Sequence, residues 1–247
     1  MDIDNKVSFP DLLGLSETDP EFVALFKQFA FQEVPKDLPF SLDERRYYLA
    51  TLAVLVGSQG LEAYKEILPV ALDNGVKAVE VKELLYQAVA YLGLSRVYAF
   101  FAPTNTIFTN QGTSLPLASQ KNTKNQTRLE AGEEAQIAIF GDQMKGFATK
   151  GEPDVRHINK WLVDNCFGDY YTRSRLDYSE RELLTFCYLY SQGGCEPQLK
   201  GHIAANLRLG NDKMLLITVI SACIPYIGYP RTINALSCIN EVANAQQ

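Results

Sequence analysis

The chain has 247 residues, enough for one or two domains with a hydrophobic core that needs no disulfide staples. Its formal net charge of -6 argues against a general nucleic-acid surface, which requires a basic patch. No apolar run reaches the roughly 18 residues of a membrane span, and the N-terminal segment MDIDNK lacks the apolar core of a signal peptide. The five cysteines are odd in number and lie mostly in helical patterns, which indicates reduced thiols in a cytoplasm. We therefore expect a cytoplasmic protein without nucleic-acid or membrane partners.

Proline and glycine divide the first half of the chain into helical segments. An amphipathic helix over residues 21–33 is predicted to end at Pro35 and Pro39, because proline interrupts a helix. Apolar periodicity with terminal glycines predicts the next helices over residues 41–55, 61–74, 81–92 and 95–108.

A polar stretch separates this half from the second. Residues 111–127 are rich in Ser, Thr, Asn and Gln, which predicts an extended linker that can drape over a neighbouring domain. A helix is predicted from Leu129, and another carries Val155 and Trp161. His157 has no acidic or thiol partner nearby in sequence, and we expect it to be structural or solvated.

Residues 179–231 hold the candidate chemistry. They are predicted to form three helices that end at Gly193–Gly194, Gly210 and Gly228, because glycine accepts the left-handed conformation at a helix C-terminus. Pro197 opens the second of these helices, and Pro230 opens a further helix towards Val242.

Three side chains in this stretch are candidates, and each has a structural alternative. His202 borders an apolar stripe and is either a satisfied core histidine or a reactive group. Cys195 directly precedes the Pro197 helix, where the helix dipole lowers the pKa of a thiol; the alternative is a small buried hydrophobe. Glu182 lies in an otherwise apolar helix, and its alternative is a solvated position paired with an arginine.

The two halves repeat each other. Tyr226 follows Tyr91 by 135 residues (226 − 91), and Gly210 follows Gly75 by the same distance (210 − 75). This constant offset indicates a duplicated helical domain. We expect a first domain over residues 1–112, a linker over 113–127 and a second domain over 128–247. At the same offset, the first copy has Ile67 for His202, Gly60 for Cys195, and Tyr47 or Tyr48 for Glu182. The first copy is therefore expected to lack the site.

The second copy, RELLTF…GGCEPQLKGHIAANLRLGN…PYIGYPRTINAL, resembles a carboxymuconolactone decarboxylase domain. The segments LPLASQKNTKNQTRLEAGEEAQIAIFG and FGDYYTRSRLDYSERELLTF are similar to parts of two-domain members, so the resemblance covers residues 21–243. It implies an all-α fold, shared with alkyl hydroperoxidase D and duplicated in tandem. It also implies assembly into a homotrimer of two-domain chains.

The resemblance implies two possible chemistries. A histidine at the position of His202 belongs to the motif of the decarboxylase branch, which acts on 4-carboxymuconolactone without a metal. The thiol peroxidase branch has a glutamate, then CxxC, then a histidine four residues after the second cysteine. Counting back from His202, this chain has Cys195 at the first cysteine position and Gln198 at the second. Glu182 matches the family glutamate if one residue is inserted at Gly193–Gly194.

Three functions therefore remain open. The first is a lyase with no cofactor or metal, in which His202 is the acid and Glu182 sets its tautomer. The second is a peroxidase that uses Cys195, with Glu182 and His202 as a proton relay. Its resolving thiol would come from elsewhere, for which Cys187 is a candidate that we expect to be buried. The third is an oligomeric protein that binds a small molecule without turning it over.

Overall fold

A computed structural model describes residues 14–245, and this range contains helices and connecting loops but no strand. The all-α fold class predicted from the sequence is confirmed. None of the helices in the described range is long and apolar enough to cross a bilayer.

Within the described residues, the first repeat contains six α-helices. They are α1 (Pro20–Gln28), α2 (Val34–Asp37), α3 (Glu44–Gly57), α4 (Leu61–Asp73), α5 (Ala78–Leu92) and α6 (Leu94–Asn110). A π-helical turn, Phe29–Glu33, joins α1 to α2. The expectation that Pro35 breaks the first helix is wrong. Pro35 lies in the first turn of α2, where proline needs no backbone donor, and the helical path ends only before Pro39.

The second repeat begins with a helix that has no equivalent among the described residues of the first, lacks an equivalent of the short α2, and otherwise follows the same order. Its helices are α7 (Arg128–Phe140), α8 (Arg156–Trp161), α9 (Tyr178–Gln192), α10 (Glu196–Arg208), α11 (Lys213–Ala222), α12 (Ile224–Ile227) and α13 (Tyr229–Ala245), with a π-helical segment, Leu162–Tyr171, after α8. The sequence predicted one helix up to Gly228, but α11 ends at Ala222. Pro225 explains the break, because its ring cannot follow a continuous helix and instead occupies the first turn of α12.

Helix caps recur at an offset of 134 residues (177 − 43), and the glycines at helix ends recur at the predicted offset of 135 (210 − 75 and 228 − 93). The side chain of Asp43 accepts a hydrogen bond from the backbone N–H of Arg46, and Asp177 accepts one from Glu180, each at 2.8 Å. Gly75 and Gly210 have φ angles of 99° and 91°, and Gly93 and Gly228 have 79° and 76°. Side chains rarely adopt these angles, which explains why glycine stands at both equivalent helix ends. The duplication predicted from sequence is therefore visible in the backbone.

The repeats share one core through α3 and α9, which pack side by side. Arg45 pairs with Glu180 at 2.6 Å near the start of both helices. Near their ends, a Cβ atom at Gly57 would lie 2.0 Å from the hydroxyl of Ser191. Most buried apolar residues of both repeats form one continuous cluster around this pair, and a second, smaller cluster lies where residues 135–139 meet the π-helical segment.

The stretch predicted to be a linker contains no helix or strand over residues 111–127. It lies against the chain that follows the π-helical segment of the second repeat. Asn122 donates to the carbonyl of Thr172 at 2.9 Å, and Thr123 donates to the carbonyl of Gly168 at 3.1 Å. The linker thus covers the segment that leads into α9.

Candidate active site

Glu182 on α9 and His202 on α10 form a pair. The side chain of Glu182 is completely buried, and its Oε2 lies 2.7 Å from Nδ1 of His202. The two helices pack against each other across the turn at Gly193–Gly194, and Glu182 lies beside His202. The structure therefore brings together two of the three candidate residues.

Neighbouring side chains fix both members of the pair. Tyr171 donates its hydroxyl proton to Oε1 of Glu182 at 2.8 Å. The amide of Asn206 donates to the backbone carbonyls of Glu182 and His202, at 3.0 and 2.8 Å. The amide of Asn211 in turn donates to the side-chain oxygen of Asn206. Each carboxylate oxygen of Glu182 thus has a partner, and the crossing of α9 and α10 is fixed by buried amides.

Two aromatic rings enclose the imidazole. Tyr91 on α5 and Phe140 on α7 both meet the His202 ring edge to face, at centroid distances of 5.4 Å. About 13% of the His202 side chain remains exposed. Since Nδ1 is bonded to the carboxylate, Nε2 is the ring nitrogen available to a ligand.

The two tyrosines near Glu182 stay protonated. Burial, followed by the charge of the Glu182 carboxylate, raises the pKa of Tyr171 well above its usual value. Burial likewise raises the pKa of Tyr91. A phenol that keeps its proton is a permanent donor, and an ionised carboxylate only accepts. A neutral His202 therefore carries its proton on Nδ1 and presents Nε2 as a base, whereas a charged His202 presents Nε2–H as an acid.

Cys195 lies apart from this pair. It directly precedes α10, seven residues before His202, which corresponds to about 10 Å along a helix axis. Its thiol donates to the carbonyl of Leu189 at 3.3 Å and accepts a bond from the amide of Gln192 at 3.5 Å. Cys195 lines a small depression whose other walls include Leu199 and Arg231.

The expectation that the helix dipole lowers the pKa of Cys195 is wrong, because burial raises it. We expect half-maximal alkylation of Cys195 above pH 9, since only the thiolate reacts and burial disfavours the thiolate. Site-resolved mass spectrometry across a pH series measures this rate. His202→Ala is the control, and it should leave the Cys195 profile unchanged. Half-maximal alkylation below pH 9, or a shifted profile in His202→Ala, would contradict this placement.

Two other sequence expectations are confirmed. Cys187 is buried, and that burial raises the pKa of its thiol well above the ordinary value. His157 is exposed and packs its ring against Trp161 at 4.7 Å. In the first repeat, the positions that correspond to His202 and Glu182 are buried Ile67 and either Tyr47 or Tyr48. Among residues 14–245, no cluster of three His, Cys, Asp or Glu side chains is arranged to hold a metal.

Sequence reasoning missed the contribution of α5 and Tyr171. Glu83, Gln87 and Tyr91 recur at a spacing of four residues in an otherwise apolar part of α5. Polar residues at that spacing share one helix face, and this is the signal from which they are recognisable. Tyr171 has no comparable signal, because it ends a π-helical segment that the sequence pattern did not predict.

These features define a class of protein: a tandem-duplicated, all-α protein with a buried carboxylate–histidine pair in its second repeat. Residues 20–106 and 157–241 match the carboxymuconolactone decarboxylase family. Because the matched regions cover more than half of the chain, the protein belongs to that family, as a tandem member with two copies of the domain. Comparison with curated proteins gives no match.

Proposed function

We propose that the protein is a lyase that removes CO2 from a small carboxylated lactone or a related compound. The observation that carries this proposal is the Glu182–His202 pair, in which a buried carboxylate occupies Nδ1 and leaves Nε2 as the reactive nitrogen. Membership of the carboxymuconolactone decarboxylase family supports the reaction class.

In the proposed reaction, the C–C bond between the substrate's carboxylate and the carbon that carries it breaks, and CO2 departs. The electron pair passes into the adjacent carbonyl system as an enolate-like anion. His202, in its charged form, gives the Nε2 proton to that carbon, and it regains a proton from water in the next cycle. Glu182 remains a carboxylate throughout, and it stabilises the imidazolium while fixing the ring.

The surroundings suit this chemistry. Tyr91 and Phe140 pack against the imidazole and limit its contact with water. Electrostatic attraction between an imidazolium and an anionic intermediate is stronger where water is excluded. The aromatic walls also supply the apolar surface on which a small unsaturated ring would pack.

The test is release of CO2 from a panel of carboxylated lactones and β-keto acids by the wild type and by His202→Ala. We expect turnover to fall by about 10²- to 10⁴-fold in the variant, the usual contribution of a general acid. His157→Ala is the matched control, because it removes the other histidine, which is exposed and lies outside the site. Circular dichroism checks that both variants fold.

Near-normal turnover in His202→Ala would overturn the proposal. Binding of a compound from the panel without release of CO2 by the wild type would instead favour the non-catalytic binding protein.

The peroxidase alternative rests on Cys195. The structure gives it less support, because the thiol is hydrogen-bonded to Leu189, its pKa is raised, and its partners do not include the Glu182–His202 pair. The alkylation series on Cys195 decides this alternative, since a peroxidatic cysteine must react as a thiolate near neutral pH.

We also propose that the chain assembles into a homotrimer. Both repeats expose an apolar pair at equivalent positions. Leu94 and Tyr98 open α6 with exposures of 57 and 71%, and Tyr229 and Ile233 open α13 with 59 and 60%. Exposed apolar patches of this kind mark interaction surfaces, and their duplication suits a symmetric assembly. Sedimentation equilibrium at micromolar concentration tests the trimer; a monomer throughout would overturn it.

A further inference from the structure

One stripe of the first repeat faces the site of the second. Glu83, Gln87 and Tyr91 recur every fourth residue on α5, so their side chains share one face. Glu83 and Gln87 both bond Arg181 on α9, and the Tyr91 hydroxyl lies 2.6 Å from that of Tyr171. The first repeat lacks a carboxylate–histidine pair of its own, yet it contributes to the pair next door.

A fully buried arginine fixes the orientation of Gln87. Arg181 Nη1 donates to Oε1 of Gln87 at 2.9 Å. A guanidinium has donors and no acceptor, so the amide oxygen of Gln87 must face it. The amide nitrogen of Gln87 therefore points the other way, towards Thr185 Oγ1 at 2.9 Å and the carbonyl of Arg181 at 2.9 Å.

The orientation of the Gln87 amide determines which atom donates in the next hydrogen bonds, those of the Thr185 and Tyr171 hydroxyls. The amide nitrogen of Gln87 only donates, so the Thr185 oxygen accepts. The proton of Thr185 is left for the two tyrosine hydroxyls that it contacts, those of Tyr91 and, at 2.7 Å, of Tyr171. The Tyr171 oxygen accepts, and its single proton is committed to Glu182. Because the Tyr171 proton is already donated to Glu182, the bond between the two tyrosines is donated by Tyr91. Each bond from Arg181 to Glu182 is thus oriented in one direction.

We propose that Gln87 of the first repeat is a positioning residue for the site of the second repeat, acting through Thr185 and Tyr171 on the Glu182–His202 pair. The inference deepens the proposed lyase function and rests on it where turnover is concerned. An ionised carboxylate without access to water is costly unless donors reach it. The oriented chain supplies that donor, and hydrogen bonds in a row strengthen one another. The first repeat would then be needed for the site of the second, because Gln87 and Tyr91 contribute hydrogen bonds to it.

The test exchanges the donor of Gln87 for an acceptor of the same size. In Gln87→Glu, the new carboxylate beside Arg181 accepts the Thr185 proton. The Thr185 and Tyr171 oxygens then face each other without a proton between them, and they repel. Tyr171 is then pushed from Glu182. We expect kcat for CO2 release to fall about tenfold, equal to one hydrogen bond of about 1.4 kcal/mol, with KM within twofold. Adding Thr185→Val should cost no further kcat, because both substitutions interrupt the same row of hydrogen bonds, whereas a merely structural role of Gln87 predicts that the two losses add.

A second readout does not depend on turnover. The chain has two histidines, so 15N-histidine NMR resolves His202 and uses exposed His157 as an internal reference. We expect the His202 ring nitrogen signals to move in Gln87→Glu while those of His157 stay fixed. A moved His202 signal in a protein that releases no CO2 would sink the lyase proposal and leave this inference standing. Unchanged His202 signals would overturn the inference, whatever the activity.

Thr185→Val alone covers the case in which Gln87→Glu does not fold. Valine has the shape of threonine but no hydroxyl, so it interrupts the row of hydrogen bonds between Gln87 and Tyr171. We expect the same movement of the His202 signals and a similar loss of kcat. Unchanged signals in this folded variant would overturn the inference on their own.

Discussion

Replacing Gly132 by alanine is expected to lower the free energy of unfolding by about 3 kcal/mol, the upper end of what overpacking costs. A Cβ atom at this position of α7 would lie 2.0 Å from the carbonyl oxygen of Val163 and 2.9 Å from the backbone nitrogen of Gly168. Both obstacles are backbone atoms of the π-helical segment, so no side-chain rotation relieves the clash. Gly168→Ala should have a similar effect, since its Cβ would meet the carbonyl oxygen of Arg128 at 2.1 Å.

Urea denaturation followed by circular dichroism measures this loss. Gly201→Ala is the matched control, because Gly201 is an exposed residue in the middle of α10. A Cβ atom there would meet nothing within 4 Å. It should stabilise the protein by about 0.5 to 1 kcal/mol through helix propensity. Equal stability of Gly132→Ala and wild type would show that α7 does not pack as closely as described.

The same close contact controls the site. Phe140 lies two turns after Gly132 on α7, and it packs against His202 and against Phe167 of the π-helical segment. Moving α7 outward to accommodate a methyl group would withdraw that ring from the imidazole. We therefore expect Gly132→Ala to lose activity as well as stability, although it touches neither Glu182 nor His202.

Much of the fold could be predicted from the sequence because the breaks are local. Gly75, Gly93, Gly210 and Gly228 lie at helix ends with positive φ, where glycine is the residue that fits best. Asp43 and Asp177 cap helices that begin one residue later. The glycines, repeated at a constant offset, predicted most helix ends and the duplication, whereas the break at Pro225 and the π-helical segment after α8 were not predicted.

The parts that could not be predicted depend on packing between distant segments. The sequence favoured Glu182 and His202 as candidates, but their contact depends on the crossing of α9 and α10. Whether Glu182 was solvated stayed open until its burial was known. For Cys195, position at a helix N-terminus indicated a lowered pKa, whereas its burial beside Leu189 raises it. Local position therefore gave the wrong sign, because desolvation is a tertiary effect.

In the proposed site, the two repeats supply different groups. The second repeat supplies the carboxylate, the histidine and Tyr171, and the first supplies a polar face of α5 that holds them. A comparison of aligned positions alone, such as Ile67 against His202, classifies the first repeat as empty. In the proposed site, its contribution lies instead on α5, at Gln87 and Tyr91.

Glu83→Gln is expected to cost about 3 to 5 kcal/mol of unfolding free energy, the range for breaking a buried ion pair. The Glu83 carboxylate is buried and accepts two bonds from Arg173 Nε and one from Arg173 Nη2, at 2.8 to 3.0 Å. It also accepts one from Arg181 at 3.1 Å, and the side chain of Arg181 has no exposed surface. Glutamine keeps the size but removes the charge, so the Arg181 cation would remain buried without its counter-ion.

Glu80→Gln makes the same substitution one turn earlier on α5, and it separates charge burial from loss of a hydrogen bond. Glu80 is equally buried, but its partners Arg45 and Arg175 are 33 and 40% exposed, so water solvates them when the carboxylate is lost. We expect a cost of about 1 kcal/mol there. Urea midpoints of the two variants measured side by side give the difference. The larger cost at Glu83 is expected only because Arg181 is buried. Similar losses in the two variants would therefore mean that Arg181 is not a buried cation that links α5 to α9.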